Sequence, residues 1–133
     1  MAQTYKDRNT PMMDGQLLNL PMGAGISIPA GTIVTVHNST GMAYAGVSNV
    51  NTVAMGRAEE SKQNSGADGS VSILVRRGKA FKWDNSPTEP VTATGLGRVC
   101  YVQDNQTVCR NGNNLCVAGT VLQIDPDGVW VQM

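Results

Sequence analysis

Turn-forming residues recur so often along this chain that only one stretch keeps a helix-forming composition, residues 57–63, reading Arg-Ala-Glu-Glu-Ser-Lys-Gln. It has no apolar face at helical spacing and is too short to stand alone, so it is held to one turn at most. Everything else favours strands. Fifteen Val stand against seven Leu, with eleven Thr, eleven Asn and fifteen Gly; β-branched side chains suit a pleated, half-buried surface, and Asn and Gly suit tight turns. At 133 residues the chain is bounded to one domain, long enough for a real core without disulfides or metal. Charge narrows the classes further. Ten basic residues balance ten acidic ones, and 15% charged residues is low against roughly 25% in soluble domains. Bulk attraction to nucleic acid or an anionic membrane is therefore not expected. No uninterrupted apolar run reaches the length of a membrane helix. The first eight residues lack the basic-then-apolar layout of a signal peptide, and three cysteines, an odd number, fit a reducing compartment.

The expected fold is all-β, a small β-barrel or β-sandwich of about nine short strands with an extended N-terminal arm. The arm is residues 1–25, where Met12, Met13, Leu17, Leu18, Leu20 and Met22 lie among Pro11, Gly15, Pro21, Gly23 and Gly25 with no strand or helix period. Residues 26–133 form the β domain. Its clearest strands are 32–37, 70–75 and the pair flanking Asp125-Pro126-Asp127-Gly128, where proline presets the first corner and glycine supplies a left-handed residue. Residues 98–103 turn at Asp104-Asn105 into 106–109 as a two-residue loop, which would set Cys100 opposite Cys109. Trp130 alternates against Val129 and Val131, so one face of that strand is core. No internal repeat and no low-complexity tract is legible.

Candidate chemistry is sparse. His37 is the single histidine, and no Gly-x-Ser-x-Gly elbow accompanies it. Cys100, Cys109, Cys116 and His37 lack the Cys-x-x-Cys spacing of a structural zinc site, so no metal is expected, and the glycine pairs at 23–25 and 95–97 do not sit between a strand and a helix as a phosphate cradle would. No cofactor is expected, and the chain reads as a non-enzyme. One strip combines cations and aromatics: Arg76, Arg77, Lys79, Phe81, Lys82 and Trp83. Its alternative reading is an OB-like single-stranded nucleic-acid binder; its plain reading places Phe81 and Trp83 on one face as core with Lys82 on the other. The apolar-studded arm is the profile of a binding protein.

Particular stretches are familiar. Tyr5-Lys6-Asp7-Arg8-Asn9-Thr10-Pro11, then Asp14-Gly15, Leu20-Pro21 and Ile28-Pro29-Ala30-Gly31, resemble the small capsid decoration, or cement, proteins of tailed bacteriophages and prophages. So do residues 75–82 and the run from Ala118-Gly119-Thr120-Val121-Leu122 to Asp127-Gly128-Val129-Trp130-Val131. The resemblance implies a virion protein on the outer surface of the capsid, made in the bacterial host cytoplasm, with the major capsid protein as partner. It implies a homo-oligomer, trimer ahead of dimer, and neither membrane nor nucleic acid as partner. The arm residues Met12, Met13, Leu17, Leu18, Leu20 and Met22 would make capsid or subunit contacts, with Arg76, Arg77 and Lys79 as a charged supplement.

Overall fold

The computed structural model describes residues 3–13 and 15–133. Twelve strands follow one another: β1 Leu17–Pro21, β2 Ser27–Ile28, β3 Ile33–His37, β4 Ala43–Ala45, β5 Thr52–Ala58, β6 Lys62–Gln63, β7 Ser72–Arg76, β8 Ala80–Asn85, β9 Val99–Val102, β10 Thr107–Cys109, β11 Val117–Asp125 and β12 Gly128–Gln132. A short 3-10 turn at Ala93–Gly95 is the only helical element among the described residues. The all-β expectation holds, with twelve strands in place of nine. The stretch 57–63 makes no helical turn; it finishes β5 and supplies β6, which pairs with β2.

The chain lays down two five-stranded sheets, one after the other. The N-terminal sheet runs β1-β7-β5-β3-β4, and the C-terminal strands form a closed barrel, β10-β8-β12-β11-β9. Taking each set in chain order as first to fifth, both follow one path: first, fifth, fourth, second, third. In the barrel the third strand closes on the first in parallel, Val108 beside Asn85. In the N-terminal sheet the same closure is a single parallel bridge, Met22 beside Ala43, with the Gly23 N–H donating to Ala43 O at 3.2 Å.

The correspondence extends to individual residues. Leu18 pairs with Val75 as Phe81 pairs with Val131, and Val36 with Ala43 as Val102 with Val108. Each second-to-fourth strand ladder carries one β-bulge. Val34 faces Gly56 while Thr35 faces Ala54, and Cys100 faces Gly119 while Tyr101 faces Val117. Both glycines are required for the same reason: a Cβ at Gly56 would run into the Arg76 carbonyl oxygen, and one at Gly119 into the Gln132 carbonyl oxygen. The turn entering the second strand repeats as well. Gly31 N–H donates to Ala58 O at 2.8 Å and Gly97 N–H to Val121 O at 2.9 Å, both glycines at positive φ. The absence of a repeat expected from the sequence is thus corrected at the level of backbone. Equivalent positions lie 66 residues apart at Val34 and Cys100, 63 at Gly56 and Gly119, and 56 at Val75 and Val131. Loops of unequal length erase any fixed period.

Each sheet owns a core. Met22, Ile28, Val34, Ala43, Ala58, Ile73 and Val75 fill the first; Phe81, Trp83, Cys100, Val102, Val121, Val129 and Val131 fill most of the second. Asn64, fully buried, ties the first together. Its side-chain amide donates to the carbonyls of Met22 (3.0 Å), Gly23 (3.2 Å) and Ala67 (3.0 Å), and its oxygen accepts from the Gly66 N–H and the Ser70 hydroxyl.

Three further expectations are revised. The arm does not extend to residue 25: β1 pairs along β7 and Met22 is fully buried, because Leu18 and Leu20 alternate with Asn19 as a strand requires, a pattern the flanking prolines and glycines obscure. The β9–β10 loop has three residues, since the Gln103 N–H donates to Thr107 O at 2.9 Å. Val102 consequently faces Val108 and Tyr101 faces Cys109, so Cys100 and Cys109 are not a cross-strand pair. Asp125 pairs with Gly128 as the hairpin predicts, but Gly128 is not at positive φ; it is needed because a Cβ there would approach the Trp83 carbonyl oxygen to 2.8 Å.

Candidate docking surfaces

Residues 3–13 carry neither strand nor helix and are exposed throughout. Pro11 interrupts them, and backbone polar groups are met locally: Thr4 Oγ1 accepts from the Lys6 N–H at 3.2 Å and Arg8 O from the Thr10 N–H at 3.1 Å. Tyr5 is 90%, Met12 98% and Met13 76% exposed. Of the six apolar residues expected to make contacts, Met12, Met13 and the β1 edge residue Leu17 present themselves to solvent. Leu18 and Leu20 are half-buried, Leu20 against the first core, and Met22 lies inside that core. Asp14 lies outside the described residues.

The strip from Arg76 to Trp83 divides by side. Phe81 and Trp83 are buried in the second core with ring centroids 6.0 Å apart, so they offer no free face on which a base could stack. Lys82 points outward into an acidic pair, bonded to Asp127 and 3.5 Å from Asp125. Asp127 holds the Lys82 ammonium above its ordinary range, and Lys82 in turn depresses Asp127. Asp125 is also lowered, first by the Gln123 amide and then by the Trp130 indole, whose Nε1–H donates to it at 2.8 Å. Trp130 therefore belongs to the outer face, half-buried, with Val129 and Val131 inside. Arg76 bonds Glu59 at 3.2 Å, and Glu59, which also receives Arg57, is held below the usual carboxylate range chiefly by Arg57. Arg77 and Lys79 stand exposed on either side of Gly78.

The cysteines are free thiols, all buried. Burial pushes Cys100 up to about 12 and raises Cys109 as well. Both remain protonated at neutral pH, the inert form of a thiol. Among the described residues no three of His, Cys, Asp and Glu gather in a way that could hold a metal ion. His37 Nδ1 engages the Ser39 hydroxyl at 2.8 Å.

A surface that sequence reasoning missed lies on the outside of the C-terminal barrel. Val91, Thr92, Arg98, Val99, Tyr101 and Arg110 line a groove of about 350 Å³. Tyr101 rests on the backbone of Gly112, and Arg110 meets Glu89 at 3.0 Å. Val99 and Val117 are 48% and 47% exposed on the strands beside it. The strand alternation that would have exposed this face is visible only once β9 and β11 are known to be neighbours. Comparison of the chain with protein-family models, with curated proteins and with solved structures gives no match.

Proposed function

We propose that the chain is a structural virion protein that docks on the outside of a tailed-phage capsid and cements neighbouring major capsid proteins against internal pressure. The observation that carries this reading is the segment 3–13, which holds Tyr5, Met12 and Met13 in solvent ahead of two five-stranded sheets. Apolar side chains displayed in this way gain by lying against a partner, and an extended segment adds contact area beyond the globular footprint. The resemblance of residues 5–11 to the cement proteins falls on the same segment. Many copies on a symmetric shell multiply weak contacts into firm attachment.

The test follows from where β1 begins. Deleting residues 2–13 leaves β1 and its pairing with β7 in place, whereas a deletion through residue 22 would remove a sheet strand and a core residue. The shorter deletion is expected to keep the circular dichroism and thermal midpoint of the full chain while losing co-sedimentation with undecorated capsids. A truncated chain that saturates capsids like the full one would reject the segment as the contact.

A further inference from the structure

The equivalence of the two sheets reveals an imbalance between them. On β3, Val34 and Val36 pack in the first core, so Ile33 and Thr35 point out of that sheet. Both are nonetheless 0% exposed. The C-terminal barrel covers them: Ile33 joins the second core with Ala54 packed against it, and the Ile33 N–H donates to Asn105 O at the β9–β10 tip at 2.8 Å. Around this seat the Cys116 N–H donates to the Ser48 hydroxyl at 3.1 Å, and the Arg57 guanidinium lies 4.7 Å over the Phe81 ring. In the barrel the positions equivalent to Ile33, Thr35 and Ala54 are Val99, Tyr101 and Val117. They are the open face beside the groove.

The receiving side has a counterpart too. The hairpin tip corresponding to Asn105 is 38–41, exposed; the position corresponding to Cys116 is Val53, 48% exposed; the position corresponding to Phe81 is Leu18, half-buried. Each sheet therefore carries a donor face and a receiving end. One of each is joined inside the chain, and one of each is left over.

We propose that the two unused surfaces meet between copies. The outer β9–β11 face of one chain seats Val99 and Val117 on the 38–41 end of the N-terminal sheet of a second copy, continuing the contact already made within each chain. A second copy is the occupant because the chain itself supplies a receiving surface equivalent to the one that covers Ile33. The contact is head-to-tail, so it closes into a ring when the rotation per copy permits. This inference is independent of the capsid reading.

Sedimentation velocity of the full chain over a micromolar dilution series reads the association directly, and Val99→Glu and Val117→Glu are each expected to reduce it to the 14.1 kDa monomer. Both sites are exposed in the single chain, so the thermal midpoint at low concentration should not move. Met12→Glu, in the exposed N-terminal segment and part of neither surface, should leave association intact. A head-to-tail contact also has a chemical signature. Val99→Cys chains mixed with Thr40→Cys chains under oxidation should give a cross-linked dimer, and neither variant should do so alone, since the native thiols are buried. A wild-type chain that stays monomeric overturns the proposal, as does an oligomer untouched by both glutamates or a Val99→Cys chain that cross-links to itself. Loss of capsid binding by Val99→Glu in a chain already monomeric would assign the face to the capsid protein and overturn it equally.

Discussion

The N-terminal sheet and the C-terminal barrel share strand order, register, bulge and turn, yet differ in how each is finished. The barrel closes through a ladder, with β10 along β8, while the first sheet closes through one bridge at Met22 and Ala43. The first sheet recovers support elsewhere: Asn64 binds the Met22 and Gly23 carbonyls beside that bridge, and the barrel covers the outer face of β3. The barrel has no such cover over β9. One backbone plan has thus been completed from outside in one half and from within in the other, and the uncovered face falls on the half that needs no support.

Substituting the paired bulge glycines tests the shared plan most severely. Gly56→Ala and Gly119→Ala should each cost about 3 kcal/mol or more, because the obstacle is a backbone carbonyl rather than a yielding side chain. Gly56→Ala should be the worse of the two, since φ is +144° there. Thermal and denaturant unfolding measure both; a tolerant Gly119→Ala would break the equivalence.

Next in size are the two occupants of one structural position. Ile33→Ala should cost about 3 kcal/mol as a fully buried truncation, and Val99→Ala in the monomer under about 0.5 kcal/mol. Smaller, and opposite in sign, is Thr35→Val. The Thr35 hydroxyl is buried with no hydrogen-bond partner, so replacing it with a methyl should stabilise by about 1 kcal/mol.

The effects of pH divide the halves, and near neutrality they are the smallest. Glu59, just past the end of β5 in the N-terminal half, has its folded value lowered, so its contribution is present above the ordinary value of 4.5 and lost as pH falls through the depressed one. With its side chain part-exposed the effect should stay below about 1 kcal/mol, and Glu59→Gln should flatten it. Cys100, in the barrel, has its folded value raised. Its contribution is whole below the ordinary 9.0 and declines as pH rises from there toward about 12, a loss that Cys100→Ala should remove.

What the residues disclosed by themselves depended on whether neighbours in space were neighbours in sequence. Strands β3 and β7 and the β11–β12 hairpin show plain alternation and turn chemistry, and they form where expected. Strand β1 was hidden because Pro21 ends it and glycines crowd it, although its Leu18 and Leu20 obey the period of two. The repeat was hidden because backbone geometry, not side-chain identity, is what recurs: Thr35 and Tyr101 occupy one position, as do Leu74 and Trp130. Asn64 reads in sequence as one more polar turn residue, since only its burial distinguishes it. The exposure of Met12, Met13, Arg77 and Lys79 was foreseeable from local composition. The open Val99 and Val117 face was not, because it exists only between strands that start eighteen residues apart and whose pairing is set by the bulge at Ala118.

The claim that one equivalent face is sealed and the other open is tested most directly by thiol labelling. Ile33→Cys and Val99→Cys, each in dilute folded protein, are treated with a maleimide and the rates compared with those in denaturant. The account predicts that Val99→Cys labels at close to its unfolded rate while Ile33→Cys is protected by orders of magnitude. Equal labelling of the two in the folded chain would contradict it.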